Sequence, residues 1–190
     1  QGNLAHRLLE RLFAHDGSLQ WTEADVDAWV WPALDDLLRR EGLPLLAPGS
    51  TMRLQQFRDA LRRGILLLLQ HLRHARAVRV QAERNLKGNL GGLDMVGDTD
   101  LLVHLEDGGT AALDLKWATA SRYRERLEQG DFLQLALYWL MIEQELGNPP
   151  AAIGFFTFLD ATLLTLTPGV FAAPLARVIR PLFKMRCRSI

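Results

Sequence analysis

The sequence predicts an α/β domain, on three observations. Apolar residues recur at helical spacing over roughly the first third of the chain. Two short apolar runs, Leu101 to Leu105 and Thr110 to Trp117, flank a Gly-containing turn, and a second helical pattern then leads into strand-like runs at Ala151 to Leu159 and Thr162 to Leu166. Helix, strands, hairpin, helix and strand, in that order, build a sheet flanked by helices.

Composition is that of a folded domain: 190 residues, 48% apolar and 23% charged. One domain spanning 1–190 is expected, with a helical insertion at 20–77. The longest apolar run, Ile65 to Leu69, is far too short to span a bilayer, and no targeting segment is visible, so a cytoplasmic location is expected. The single cysteine, Cys187, excludes an intrachain disulfide and any four-cysteine zinc or iron–sulfur cage within this chain. The net charge of zero hides segregation. Residues 53–87 carry 9 Lys/Arg against 2 Asp/Glu and 161–190 carry 5 against none, while 1–50 and 88–160 are acidic. A basic helix and a basic tail can track a phosphate backbone; a solvated helix face is the alternative.

The first helix has Leu4, Leu8, Leu9, Leu12 and Phe13 as its apolar stripe, with His6 off its centre beside Arg7 and Glu10; His15-Asp16-Gly17-Ser18 ends it. Thr22 and Asp25 predict a helix start close to a capping box, and Val26, Trp29, Val30, Leu34, Leu37 and Leu38 continue the period, with a kink expected at Pro32. Trp21, Trp29 and Trp31 suit core packing, with stacking on unpaired bases as the alternative. Gly42 to Ser50 is a predicted loop. A long helix follows from Thr51 to Ala77, burying Leu54, Phe57, Leu61, Ile65, Leu68, Leu72 and Ala75 and exposing Arg53, Arg58, Arg62, Arg63, Arg73 and Arg76. Gly64 at its middle points to close packing. Val78 to Arg84 alternates as a strand, Asn85 to Gly92 is turn-like, and after the hairpin one helix should carry Arg122, Arg124, Arg126, Gln134 and Tyr138. A last helix is predicted over Ala173 to Met185.

The chemistry gathers on the hairpin. Antiparallel pairing returns Asp114 to the neighbourhood of Asp100, and two such carboxylates repel unless a cation lies between them; oxygen donors suit Mg²⁺ or Mn²⁺. Alternation puts Lys116 on the same face as Asp114, so an ammonium stands beside the metal.

Four sequence features together, Gly2-Asn3-Leu4-Ala5-His6, Gly97-Asp98-Thr99-Asp100, Asp114-Leu115-Lys116 and Gln134 to Tyr138, resemble the PD-(D/E)XK nuclease superfamily, and within it the RecB/AddB-like branch that includes CRISPR-associated exonucleases. The resemblance runs from residue 2 to about 158. It implies a restriction-endonuclease-like core with a central mixed sheet, and a metal-dependent DNA nuclease, an exonuclease on single-stranded ends in DNA repair. On that reading His6, Asp100, Asp114 and the Leu115 carbonyl hold Mg²⁺ or Mn²⁺, Lys116 acts at the attacked phosphate with Gln134 and Tyr138 behind it, and Arg62, Arg63, Arg122 and Arg124 are candidate DNA contacts. It also implies a domain cut from a longer helicase-related protein, or one working with a helicase subunit. Asp94 also fits the G-x-x-D pattern, but it lies too far from Asp114 for one short hairpin. Glu83 matches an acid often found on the preceding strand, although a lone exposed strand acid is more often structural. Trp117-Ala118 stands where relatives commonly read Thr-Gly, which bears on substrate contacts of that loop. The alternatives are a noncleaving nucleic-acid-binding module and a structural domain docking to a helicase.

Overall fold

The computed structural model describes residues 1–167, 169–171 and 176–178. Helix α1 (Gly2–Phe13) is followed by a single 3-10 turn at Ser18–Gln20, then α2 (Glu23–Glu41), the one-turn α3 (Leu43–Leu46) and α4 (Thr51–His74). Strands β1 (Ala77–Leu90), β2 (Leu93–Leu105) and β3 (Thr110–Lys116) come next, then α5 (Ala120–Gln129), α6 (Leu133–Leu146), β4 (Ala152–Thr157), β5 (Thr162–Thr165) and β6 (Ala176–Val178). The six strands form one mixed sheet in sequence order, parallel at β3/β4 and β5/β6 and antiparallel elsewhere. Among the described residues no helix is long and apolar enough to cross a membrane.

Strand alternation divides the interior in two. Leu101, Val103, Leu113 and Leu115 enter a core with α1, α2 and α4 on one face, while Leu102, Ala112, Ile153 and Phe155 meet α5 and α6 on the other. Full burial of Leu8, Leu9 and Leu12 contributes about 2 kcal/mol each, which fixes α1 against the sheet. The Thr22–Asp25 capping box forms as expected, Thr22 N–H donating to Asp25 Oδ2 at 2.8 Å. From there α2 runs through Pro32 without a break. On α4, Gly64 lies so close to the Phe158 ring that a Cβ would overlap it.

Five expectations are corrected. Asn85 to Leu90 is strand and not turn: β1 and β2 continue as a long ribbon, and the expected turn is confined to Gly91 and Gly92, both at positive φ. Its polar residues are accommodated by distant partners, since Glu145 and Gln144 on α6 accept from the Lys87 and Asn89 N–H groups. The loop at 42–50 contains α3, started with a proline in its first turn. The long helix stops at His74, three residues early, with Arg76 at positive φ turning the chain into β1. The single helix expected after the hairpin is two, because Gly130 at φ 80° caps α5 and Asp131 accepts from Arg126. The predicted last helix falls mostly outside the described residues; the three described there, Ala176–Val178, pair with β5 as a strand.

Candidate metal centre and active site

The ladder between β2 and β3 ends with Leu101 opposite Leu113, so Asp100 and Asp114 are the next residues out on adjacent strands. Asp100 Oδ2 accepts the Leu115 N–H at 2.6 Å. His6, carried on α1, brings Nε2 to 3.1 Å from the Leu115 carbonyl oxygen and Nδ1 to 3.6 Å from Asp100. Glu83 completes this group, 3.4 Å from His6 Nδ1. It sits mid-strand at φ 48°, a conformation that costs a non-glycine residue on the order of 1 kcal/mol and turns its carboxylate toward the site.

Asp114 is fully buried, and among the described residues neither of its oxygens has a well-aligned hydrogen bond, although Lys116 Nζ stands 2.5 Å from Oδ2. Burial, then the nearby Asp100 charge, pushes its carboxyl up to about 6 against the pull of Lys116. Burial and Asp100 also raise the Glu83 carboxyl, opposed by His6. Lys116 is steadied from behind: Nζ lies 3.5 Å from Gln134 Oε1, Gln134 Nε2 donates to the Tyr138 hydroxyl at 2.9 Å, and that hydroxyl donates to the Asp98 carbonyl at 2.7 Å. Burial pushes the Tyr138 hydroxyl up to about 12, which keeps it protonated as a donor.

These donors fit a hard divalent cation. His6, Glu83 and Asp100 each offer an atom within 4.8 Å of the others, and Asp114 adds buried oxygens that lack hydrogen bonds. Three of the four predicted metal-binding positions, His6, Asp100 and the Leu115 carbonyl, are brought together, and Asp114 lies beside them on the lysine side. Glu83 is the member that sequence reasoning left aside. The acid-strand pattern was its signal, but only α1 packing against β1 brings His6 to it. Asp94 lies at the far end of the ribbon, accepting from Asn89 at 2.9 Å. Asp98 accepts from Asn85 through its side chain and from Tyr138 through its backbone.

The candidate DNA contacts divide. Arg62 is engaged by Asp27, at 2.6 Å from Nε, and by Glu23, so α2 neutralises this part of the basic helix; Arg63 donates to the Leu159 carbonyl. Arg122 and Arg124 on α5 have no carboxylate partner among the described residues. Trp21 and Trp29 are half-buried, packed with His15, and Trp117 lies between Phe57 and Phe158.

A mixed sheet between helices, ending in two acids and a lysine beside a divalent-cation donor set, defines the class of metal-dependent nucleases. The chain belongs to the PD-(D/E)XK nuclease superfamily, whose model matches residues 1–173. The sheet and its flanking helices are the restriction-endonuclease-like α/β fold of that superfamily. A search of curated proteins finds no match.

Proposed function

We propose that this domain is an exonuclease that degrades single-stranded DNA ends with Mg²⁺ or Mn²⁺, in the manner of the RecB/AddB-like branch. We place it in the cytoplasm, in DNA repair beside a helicase subunit or fused helicase domain. The observation that carries the reading is the convergence of His6, Glu83 and Asp100 on one point, with the buried Asp114 and its partner Lys116 alongside.

His6, Glu83, Asp100, Asp114 and the Leu115 carbonyl would hold a divalent cation, which would supply Lewis acidity at a phosphoryl oxygen and lower the pKa of water. The chain's own residues do the rest. Lys116 presents its ammonium to the attacked phosphate, where it orients the incoming water and offsets developing negative charge. Gln134 and Tyr138 hold that ammonium in place through the Asp98 carbonyl. Arg122 and Arg124 serve as phosphate contacts outside the centre, a role for which Arg62 and Arg63 are less free.

Linear and circular single-stranded DNA, incubated side by side with Mn²⁺, test the reading. Release of mononucleotides or short oligonucleotides from the linear strand, with the circle left intact, is expected. Cutting of the circle would contradict the exonuclease assignment.

A further inference from the structure

Helix α5 begins without a side-chain cap from Thr119, the residue before it. Its cap comes from forty residues further along the chain. Asp160, on the turn between β4 and β5, accepts the Ala120 N–H at 2.8 Å through Oδ2, while its Oδ1 accepts from the buried Thr157 hydroxyl at 2.7 Å. Thr157 is the β4 partner of Lys116 in the parallel ladder. The same turn follows the chain out of β3, with Phe158 N–H donating to the Lys116 carbonyl at 2.9 Å and Leu159 N–H to that of Ala118 at 3.2 Å. One carboxylate thus joins the strand end beside Lys116 to the first turn of α5.

Three features make this joint more than a helix cap. First, α5 has little else to hold it: of its 10 residues only Ala120 and Leu127 are buried, and Tyr123 packs on the Phe155 ring at 4.9 Å between centroids. Second, its first two turns carry Arg122 and Arg124, neither paired with a carboxylate among the described residues. Third, the turn that presents Asp160 is held in one shape. Arg63 on α4 donates to the Leu159 carbonyl at 3.1 Å, and Ala161 is kept at φ 47°, a left-handed conformation that a residue with a Cβ holds only where its surroundings fix it. Misplacing a substrate-positioning group by about 1 Å slows a reaction by on the order of a hundredfold. A lightly buried helix bearing phosphate contacts therefore depends on its tether.

We propose that Asp160 is a positioning residue, which sets Arg122 and Arg124 at a fixed distance from Lys116 so that a neighbouring phosphate is gripped in register with the attacked one. The proposal rests on the nuclease reading above, including its phosphate role for the two arginines, and adds the residue that fixes their place. The test is cleavage of a single-stranded thymidylate oligonucleotide with Mn²⁺ by the full chain. Asp160→Ala should raise KM about tenfold with kcat within about twofold, whereas Asp160→Asn, which keeps an oxygen for the Ala120 N–H, should stay within about twofold of wild type in both. In a chain already carrying Arg122→Ala and Arg124→Ala, Asp160→Ala should raise KM no further. A cap that only stabilised the fold would act alike in both backgrounds. Thr157→Val, which leaves the carboxylate but frees it from β4, keeps the comparison open if Asp160→Ala does not fold: KM should rise about threefold, again only with both arginines present. An unchanged KM in a folded Asp160→Ala or Thr157→Val protein, or an equal rise without the arginines, would overturn the proposal. Failure of the wild-type chain to cut any DNA would instead count against the nuclease reading. Anisotropy of the labelled oligonucleotide with the Asp114→Asn protein then decides: Asp160→Ala should weaken binding about tenfold only when both arginines are present, and equal affinity or no binding by the parent would overturn the proposal.

Discussion

Lys116 Nζ lies 2.5 Å from Oδ2 of Asp114, a carboxylate with no solvent exposure and no well-aligned hydrogen bond among the described residues. A buried charge of this kind costs folding free energy unless a partner compensates it. One ammonium is partial compensation, so the pair gains from a second cation. Asp114→Asn should therefore bind Mn²⁺ at least tenfold more weakly by calorimetry while melting no lower than wild type without metal. A variant that melts many degrees lower would assign Asp114 a structural role instead.

The chain Asp98 carbonyl, Tyr138, Gln134, Lys116 predicts graded effects. Gln134→Ala should lower kcat about tenfold with KM nearly unchanged, because it frees the lysine without removing it. Tyr138→Phe should cost about 1 kcal/mol of stability through the lost bond to Asp98, with a smaller effect on rate. Steady-state kinetics and urea unfolding separate the two.

Arg62 and the pair Arg122 and Arg124 should behave oppositely. Arg62→Ala breaks the link from α4 to Asp27 and Glu23 on α2 and should cost about 0.5–1 kcal/mol of stability without changing affinity for single-stranded DNA. Removing Arg122 and Arg124 together should leave stability unchanged and reduce the salt slope of binding by about 1.4. Urea titration and anisotropy check both.

This contrast shows where sequence reading ends. The Asp100–Asp114 hairpin was legible because turn, spacing and alternation are local, as were α1, α2 and the apolar face of α4. The neutralisation of Arg62 was not legible, since its partners lie on another helix at positions 23 and 27. Nor was the strand character of Asn85 to Leu90, whose edge is satisfied by residues 144 and 145. Glu83 joined the site only once α1 was placed against β1.

Gly64→Ala should destabilise by about 1–3 kcal/mol, although alanine is the better helix former by about 1 kcal/mol. The added methyl would overlap the Phe158 ring, which is fully buried against Trp117 and Phe156. Thermal unfolding tests this, and a rise in Tm would contradict the packing.

His71 is buried among Phe156 and Phe171 with neither ring nitrogen hydrogen-bonded among the described residues. Burial, helped by the His74 charge, pushes its imidazole down to about 4. The unfolded imidazole, at about 6.5, then binds more protons than the folded one between those two values. Stability should rise with pH from about 4 to 6.5, and fall as the solution is acidified through that window. His71→Leu should flatten this dependence in metal-free urea unfolding; an unchanged profile would assign the acid sensitivity elsewhere.

The most direct test of the account is digestion of linear single-stranded DNA, labelled at either end, by wild-type, Asp114→Ala and Lys116→Ala proteins with Mg²⁺, Mn²⁺ or EDTA. The account predicts cleavage by wild type with either metal, none in EDTA, and losses of at least about a thousandfold in both variants. Cleavage by Asp114→Ala at the wild-type rate, or by wild type in EDTA, would contradict it.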